Sequence, residues 1–477
     1  MIDTKALRQK ILDMAIRGEL VPQDPNDEPA SVLLEKIRTE KQRLIKEGKI
    51  KKDNVDSVIF KGDDNRHYEN LPNGWGEIPL VEICWLDDGN QIDGEKLVYW
   101  DAKALRGKNT KVTLSRGKVV EQGKSVILVD GENSGEVFTI PYRGYLGSTF
   151  KILQIAPLTD KNFVRIILDY NRDLFRENKT GSAIPHLNKR LFKSMNVLLP
   201  PLLEQERIAK SVDLLFTQID TIEQNQAEIE NLYDELKKRT LDLAIQGKLV
   251  PQDPSDEPAS VLLEKIRAEK KAQLGKKYVD SYIYKGDDNR YYEKVGSEVK
   301  NITEEVPFDM PETWEWIRLK QVIDFSKSIS ISSEQITDNS WILDLEDIEK
   351  GSGKIITKKR MSEVKAKSDK HKFYRGNVLY SKLRPYLNKV IVADEDGFCT
   401  SEILAFDFSP ILSEYAQAYL MSSFFVDYAM NGAYGVKMPR IGSDRGNNAL
   451  MPLPPLEEQK RIVLQLHKIL SKLKDEG

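Results

Sequence analysis

The feature that most constrains this chain is a pair of long internal repeats. Residues 236–269 match residues 7–40 at a constant offset of 229, with 25 identities in 34 positions. The segment PPLLEQERI at Pro200 recurs as PPLEEQKRI at Pro454, at an offset of 254. Repeats of this size indicate two copies of one structural unit. The chain is therefore predicted to be a tandem repeat that is cut within a helix.

The two offsets also predict where the chain ends lie. At offset 254 Gly477 corresponds to Glu223, and at offset 229 Met1 corresponds to Glu230. Only six residues separate these two equivalents. We therefore expect a second, split helix that lies against the continuous central helix, with both termini meeting near its middle.

The central helix carries a seam of apolar or large residues. From Ile208 to Leu243 they recur at intervals that alternate between four and three residues, with the polar Gln226 as a residue that could fix the register. This alternation is typical of a coiled coil, although a buried helix of an ordinary bundle is the alternative. The predicted spacer coiled coil consists of Ile208, Val212, Leu215, Ile219, Ile222, Ile229, Leu236, Leu243, Ile462, Leu466, Ile469 and Leu473.

Two globular units lie between the repeated helices. They align at Trp75 and Trp314 and diverge after that point, and both contain short β-branched and aromatic runs separated by turn residues, as in KSVILVD and KVIVAD. Such runs predict strands. The expected fold class is α+β, with two mixed α/β globular domains separated by a long antiparallel coiled coil in a circular pseudo-two-fold repeat. The predicted regions are 1–70 (helical), 71–199 (first globular domain), 200–300 (central helices), 301–453 (second globular domain) and 454–477 (C-terminal helix).

The net charge of −3 hides a strong segregation of charge. Residues 351–390 contain twelve Lys or Arg against two acids, and residues 100–124 contain seven against two. Residues 213–235, by contrast, contain seven acids and no base. Basic patches on the globular units predict binding to a polyanion, and the acidic helix predicts a different partner. Solvated charged faces are the alternative interpretation.

Cations interleaved with aromatic side chains are typical of nucleic-acid surfaces, and His, Lys and Arg are donors to phosphates and base edges. The candidate DNA-binding residues of the first domain are Arg106, Lys108, Lys111, Arg116, Lys118, Arg143, His186, Lys189 and Arg190. Those of the second domain are Lys354, Lys358, Lys359, Arg360, Lys372, Tyr374, Arg375, Lys382, Arg384, Tyr386 and Lys389. A packing role is equally compatible with His186.

The sequence contains no recognisable catalytic constellation. It lacks the Asn/Asp-Pro-Pro-Tyr/Phe tetrapeptide of methyltransferases, a Walker motif, zinc-ligand spacing, HExxH and GxSxG. Cys84 and Cys399 are predicted to be reduced core residues, and no segment has the ~20 apolar residues of a spanning helix. We therefore predict a non-catalytic cytoplasmic protein without a metal or a cofactor of its own.

The repeated PPL-x-EQ helices, the two LVPQDP segments and the Trp-initiated domains together resemble the specificity subunit of type I restriction-modification enzymes over the whole chain. The resemblance implies a prokaryotic DNA reader for a bipartite, asymmetric site. In such a protein the two globular domains, 71–199 and 301–453, are target-recognition domains, and the helices act as a ruler between the half-sites. It also implies docking of two methyltransferase subunits that carry S-adenosylmethionine, and leaves open the addition of two restriction or translocase subunits.

Two other classes of protein are open alternatives. A self-contained DNA methyltransferase would bind S-adenosylmethionine as an isolated chain. A coiled-coil scaffold without a DNA role would fail to shift duplex DNA of mixed sequence. The half-site sequences and the gap between them cannot be read from this chain alone.

Overall fold

The structure is a computed structural model that describes residues 1–48, 50, 71–108, 112–181, 185–364, 368–435 and 437–475. It divides into two compact units, Met1–Ala227 and Glu228–Gly477. The division lies between Glu223 and Glu230, the sequence equivalents of the two chain ends. The predicted α+β class is confirmed in both units, because each combines long helices with several small sheets.

The first unit begins with two helices and continues into a strand-rich domain. Its elements are α1 (Thr4–Ile16), α2 (Ala30–Lys46), β1 (Gly76–Pro79), β2 (Cys84–Asp87), β3 (Gln91–Trp100), α3 (Ala102–Leu105), β4 (Thr113–Val120), β5 (Ser125–Leu128), β6 (Val137–Thr139), β7 (Gly144–Leu146), β8 (Phe150–Ile155), α4 (Lys161–Tyr170), α5 (Arg172–Glu177), α6 (Lys189–Ser194) and β9 (Asn196–Leu199). The long helix α7 (Leu202–Ile245) follows and extends into the second unit.

The second unit repeats this plan with more strands. Its elements are α8 (Ala259–Leu274), β10 (Ser281–Lys285), β11 (Tyr291–Val295), β12 (Glu298–Asn301), β13 (Glu315–Arg318), β14 (Ser330–Ile331), β15 (Trp341–Leu343), β16 (Lys359–Arg360), α9 (Met361–Val364), β17 (Lys370–Phe373), β18 (Val378–Ser381), β19 (Val390–Val392), β20 (Gly397–Cys399), β21 (Ile403–Phe406), α10 (Ser413–Met421), α11 (Ser423–Asn431), α12 (Ser443–Asn447), β22 (Leu450–Leu453) and α13 (Leu456–Asp475).

Short antiparallel pairs close each recognition domain. In the first unit β1 pairs with β9, the sheet order is β2-β8-β5-β6, and β3, β4 and β7 pair mutually. In the second unit β13 pairs with β22, and the larger sheets have the orders β14-β17-β20-β15-β16 and β19-β18-β21. The β1–β9 and β13–β22 pairs join the first and last strands of their domains, so each domain starts and ends at one place beside α7 or α13.

The repeated sequence folds into the same frame twice. The indole Nε1 of Trp75 donates to Glu204 at 3.0 Å, and that of Trp314 donates to Glu458 at 2.9 Å. Both carboxylates belong to the first turns of α7 and α13, in the PPL-x-EQ segments. The predicted alignment of the two Trp residues is confirmed by these matching bonds.

Two further contacts of the frame are duplicated. Arg207 forms an ion pair with Asp27 at 2.6 Å, and Arg461 forms one with Asp256 at the same distance. Gly18 and Gly247, with φ of +73° and +70°, lie where a Cβ would meet Pro72 at 2.9 Å and Pro311 at 2.5 Å, so a side chain is excluded at both by backbone conformation and space. Each helix therefore contacts the repeated loop that precedes its domain through a matching ion pair.

In each unit, α7 has a shorter antiparallel partner. Along the first part of α7, Gln226 donates to the Ile2 carbonyl, and Arg8 of α1 forms ion pairs with Asp220 and Glu223. In the second unit, Gln252 donates both to the Gly247 carbonyl just after α7 and to Glu458 in the first turn of α13. Lys237, farther back in α7, lines a cavity with Leu470 near the end of α13, so the two helices run in opposite directions. The predicted antiparallel pairing is confirmed within each unit, where one half of the split helix lies beside α7.

The predicted seam is packed along only part of its length. Ile208, Val212, Ile219, Ile462 and Leu466 are buried, and Leu215, Ile222, Leu243, Ile469 and Leu473 are partly buried. The prediction that the seam is packed throughout is wrong at Ile229 and Leu236, which are 48% and 46% exposed.

The exposure of these two residues has a physical reason. Ile229 lies in a stretch of α7, residues 223–236, that is exposed or only partly buried throughout, so within the described residues no neighbouring helix covers this part of the seam. At Leu236 the packed face has turned towards Leu241 and Ile245, which enter the core of the second domain instead.

Candidate nucleic-acid interface

Many predicted DNA contacts of the first unit have acidic partners within the chain. Arg106 pairs with Glu136, and Arg143 pairs with Glu95 and, at 3.0 Å, with Glu121. Lys118 in β4 lies 3.4 Å from Asp88. These bonds fix the orientation of the side chains but cancel much of their charge. The cations are therefore less available to phosphates than the sequence alone indicates.

The remaining candidates of the first unit differ in their surroundings. Arg116 in β4, Lys108 after α3 and Lys189 at the start of α6 are exposed and have no ion pair within the described part of the chain. Arg190 is also exposed and follows Lys189 in α6, and Lys111 lies outside the described residues. Arg116, Lys108 and Lys189 thus supply unmatched positive charge.

His186 is held by a carboxylate in the loop before α6. Its Nδ1 lies 2.6 Å from Asp130, and half of its side-chain surface is exposed. The backbones of the same two residues form a β-bridge. The structure therefore shows that His186 is neither free nor buried, and that sequence reasoning missed its partner Asp130.

In the second unit, the first predicted basic cluster is also matched by acids. Lys358 pairs with Asp394 at 2.7 Å, Lys359 with Glu346 and Asp347, both at 2.7 Å, and Arg360 with Glu395. The bonds to Asp347 and Glu346 raise the pKa of Lys359. Lys389 donates to the Leu345 carbonyl at 2.5 Å, and burial lowers its pKa.

Lys354 occupies a different place from its neighbours in sequence. It lines a cavity of about 400 Å³ together with Lys237 of α7 and His467 of α13. Burial and then the nearby charge of Lys354 lower the pKa of Lys237. Lys354 thus lies beside the helices, whereas the other candidates belong to the sheets and loops.

A second group of candidates gathers around an open groove of the second unit. Lys372, Tyr374 and Arg375 line a groove of about 1100 Å³ with His371 and Asn377. The ammonium of Lys372 lies 4.8 Å from the ring centre of Tyr374, and no ion pair of Lys372 or Arg375 occurs among the described residues. Unmatched cations beside an exposed aromatic ring are suited to phosphate and base contacts.

The β18–β19 connection supplies the remaining candidates. Arg384 and Asn388 both adopt the left-handed conformation, with φ of +52° and +50°. Tyr386 at its tip is exposed, while Lys382 and Arg384 are partly buried. The Arg384 amide donates to the Pro439 carbonyl at 2.7 Å, which joins this connection to the loop before α12.

That second loop contains functional candidates that sequence reasoning missed. Tyr434 and Met438 are exposed, and Arg440 is held by Glu402 through several bonds of 3.1–3.3 Å. A sequence signal was present, since TGSAIPHL at Thr180 and YGVKMPRI at Tyr434 share Gly and Pro at offset 254. Two identities in eight residues are too few to be noticed without the structure.

Other kinds of site are not supported by the described residues. Cys84 and Cys399 are free and buried, as predicted, and burial raises the pKa of the Cys399 thiol to about 12. Within the described ranges there is no cluster of three His, Cys, Asp or Glu side chains that could hold a metal ion. No helix in the same ranges is long and apolar enough to cross a membrane.

The chain belongs to the family of type I restriction-modification specificity proteins. Two copies of the "Type I restriction modification DNA specificity domain" match residues 72–231 and 311–476. These ranges cover both recognition domains together with the helices that follow them. The resemblance stated from the sequence is thereby confirmed.

Similar proteins and structures agree with this family. The type I restriction enzyme EcoAI specificity subunit of Escherichia coli is 28% identical over 98% of this chain and 89% of that protein. The EcoEI specificity subunit of Escherichia coli is 30% identical over 67% of this chain and 62% of that protein. A chain from a solved type I R-M system has a TM-score of 0.51 at 17% identity, and the match covers 85% of this chain and 92% of that one. This last likeness concerns the fold alone.

Proposed function

We propose that this chain is the non-catalytic DNA-reading subunit of a type I restriction-modification complex in the prokaryotic cytoplasm. The observation that carries the proposal is that two recognition domains are each joined to the following helix by the same Trp–Glu bond, and that each of these helices forms the same Arg–Asp ion pair with the repeated loop before the domain. Two domains that differ in sequence but are attached to the helices in the same way would read two different half-sites. A bipartite, asymmetric site is the expected target.

The DNA contacts are proposed to come from the cations that have no ion pair among the described residues. They include Lys372 and Arg375 around the groove of the second unit, with Arg116, Lys108 and Lys189 in the first unit. The paired residues Lys358, Lys359, Arg360, Arg106 and Arg143 would instead hold the loops in shape. Phosphate contacts by unmatched cations release counterions and supply most of the affinity that does not depend on sequence.

The acidic helix is proposed to dock the methyltransferase subunits. In the first unit α7 exposes Leu203 and Leu214, and in the second it exposes Leu232 and Leu236. Exposed leucines beside acidic residues favour an amphipathic partner helix with a basic rim. The S-adenosylmethionine chemistry would reside in two such subunits, and two restriction or translocase subunits could join the same complex.

Selection from duplex DNA with two randomised blocks tests the DNA-reading proposal. The full-length chain, with and without co-expressed methyltransferase subunits, should enrich two short motifs at a fixed separation. Enrichment of no motif would favour the scaffold alternative. The docking proposal is tested separately by Leu214→Glu, which should abolish copurification with the methyltransferase while leaving the melting temperature unchanged.

A further inference from the structure

The two recognition domains contain the same pair of linked loops, although their sequences diverge. In the first unit, Thr180 and His186 exchange backbone bonds of 3.0 and 2.8 Å, and Gly131 donates to the Pro185 carbonyl at 2.7 Å. In the second unit, Tyr434 and Arg440 exchange bonds of 3.0 and 2.9 Å, and Arg384 donates to the Pro439 carbonyl at 2.7 Å. His186 and Arg440 therefore occupy equivalent backbone positions.

The backbone conformations around these positions are matched as well. Gly181 and Gly435, which follow the first bridge residue of each loop, have φ of +92° and +93°. The residues that donate to the proline carbonyl, Gly131 and Arg384, also have positive φ. Arg384 adopts this conformation without being glycine, which costs free energy. A non-glycine residue in this conformation indicates that the surrounding structure requires this geometry.

At both positions the side chain is oriented by a carboxylate. Asp130 lies 2.6 Å from His186 Nδ1. Glu402 accepts from Arg440 Nε at 3.1 Å and from Nη2 at 3.1 Å. The side chains of His186 and Arg440 are nevertheless 50% and 30% exposed. The carboxylates leave His186 Nε2 and Arg440 Nη1 unused, and Nη1 makes one long bond of 3.4 Å to the Met438 carbonyl.

We propose that the two equivalent residues, His186 in the first domain and Arg440 in the second, each read one base pair of a half-site. Asp130 and Glu402 are the positioning residues that orient them. The inference rests on the proposed DNA-reading function and deepens it. Sequence is read by hydrogen bonds to base edges, which need a defined side-chain direction, whereas contacts to phosphate carry no sequence information. A carboxylate behind the reader supplies that direction and reduces the loss of side-chain freedom on binding.

The two readers offer opposite hydrogen-bonding character. When Nδ1–H of His186 donates to Asp130, the neutral ring leaves Nε2 as an acceptor. An acceptor in the major groove matches the amino group of adenine or cytosine. Arg440 keeps only donors, which match guanine N7 and O6 or thymine O4. The half-sites should therefore differ in the base that is contacted at this position.

Substitutions that keep the carboxylate contact but remove the reading edge test the inference. His186→Asn retains an amide that can donate to Asp130 and deletes Nε2. Arg440→Lys retains the charge opposite Glu402 and loses the planar fork. In selection from the randomised duplex library, His186→Asn should reduce discrimination at a single position of one half-site by about fivefold or more. Arg440→Lys should do the same in the other half-site only.

Asp130→Asn tests the positioning role of Asp130, because a purely structural role would not change which base pair is preferred. The amide can donate to Nδ1 and so place the ring proton on Nε2. The reading edge becomes a donor, so the preferred base pair at the His186 position should change rather than merely weaken. Glu132→Gln is the matched control, because Glu132 lies in the same loop and pairs with Lys179 instead.

The possible results separate this inference from the function on which it rests. A wild-type chain that enriches no motif overturns the proposed function itself. A wild-type chain that enriches a bipartite motif, with every position unchanged in His186→Asn, Arg440→Lys and Asp130→Asn, overturns only the reading role. Equal losses in both half-sites would also overturn it, because they indicate a general loss of folding or of phosphate binding. Melting temperatures of all variants distinguish these two causes.

Discussion

Trp314 donates its indole N–H to Glu458 at 2.9 Å across 144 positions of sequence. Both residues are buried, and Gln252 donates to the other carboxylate oxygen at 2.6 Å. The bond therefore ties the entrance of the second recognition domain to the helix that leaves it. Trp75 and Glu204 form the same link in the first unit, but there the second carboxylate oxygen is buried without a hydrogen-bond partner among the described residues.

This difference predicts unequal effects of the same substitution. Trp75→Phe leaves the Glu204 carboxylate with neither oxygen bonded by a described side chain, whereas Trp314→Phe leaves Glu458 its bond to Gln252. Loss of a partner from a buried polar group costs about 1–3 kcal/mol. Chemical denaturation should show a larger decrease in the free energy of unfolding for Trp75→Phe than for Trp314→Phe. Equal decreases would indicate that ring packing outweighs the hydrogen bond.

The same carboxylates predict a dependence of stability on pH. Burial raises the pKa of Glu458, although the bonds from Trp314 and Gln252 act in the opposite direction. The folded state then binds the proton more tightly than the unfolded state, so stability falls as pH rises from the ordinary glutamate pKa through the raised folded value. The stability stays at this lower level as the pH rises further.

Glu458→Gln should remove this contribution and flatten the decline of melting temperature above about pH 4.5. Glu457→Gln is the control, since Glu457 is an exposed neighbour that pairs with Lys460. A thermal melting series in both variants checks the prediction. The prediction fails if Glu458→Gln and the wild-type chain show parallel curves.

The distribution of ion pairs predicts which lysines and arginines determine the salt dependence of DNA binding. Lys372→Ala combined with Arg375→Ala removes two unmatched cations and should reduce the slope of log K against log salt by roughly 0.9 for each phosphate that is no longer neutralised. Lys358→Ala combined with Lys359→Ala removes the same charge from residues already paired with acids. Fluorescence anisotropy at several salt concentrations should show a smaller change for this second double variant. A larger change in slope for the Lys358→Ala, Lys359→Ala variant would place the DNA interface at these ion-paired lysines instead.

The repeated frame was predictable because the segments that form it are nearly identical in sequence between the two copies. Segments around Pro200 and Pro454 are nearly the same, and each places a Glu where it accepts from a Trp. The antiparallel pairing followed from the offsets alone. The exposure of Ile229 and Leu236 was not predictable, because a heptad pattern shows which residues share a face but not whether a partner covers that face.

The candidate DNA interface was less predictable for a related reason. Composition identified Lys359 and Lys372 as equivalent basic residues, but the pairing of β15 with β16 brings Lys359 to Asp347 and Glu346, the latter 13 residues away in sequence. Arg440 was missed because its role depends on a loop geometry shared with His186 rather than on a shared residue. Local sequence cannot reveal which cations are neutralised by strands that meet only in the fold.

The exposed middle of α7 leads to a prediction about spacing. Duplication of residues 223–229 adds one heptad where Ile229 is about half exposed, so the packed parts of both units keep their register. The same seven residues placed after Gly477 lengthen the split partner equally. The helix grows by about 10 Å, which corresponds to up to roughly three base pairs at about 3.4 Å each. Sequencing of the adenines methylated by the variant together with its methyltransferase partner should show a wider gap.

Both half-site sequences should remain as they were, because neither recognition domain is changed. A variant with the seven residues only after Gly477 is the control, and its gap should match that of the wild-type chain, since the continuous helix keeps its length. Altered half-sites with an unchanged gap would contradict the role of α7 as a ruler. A widened gap in the C-terminal control alone would assign the spacing to the split helix instead.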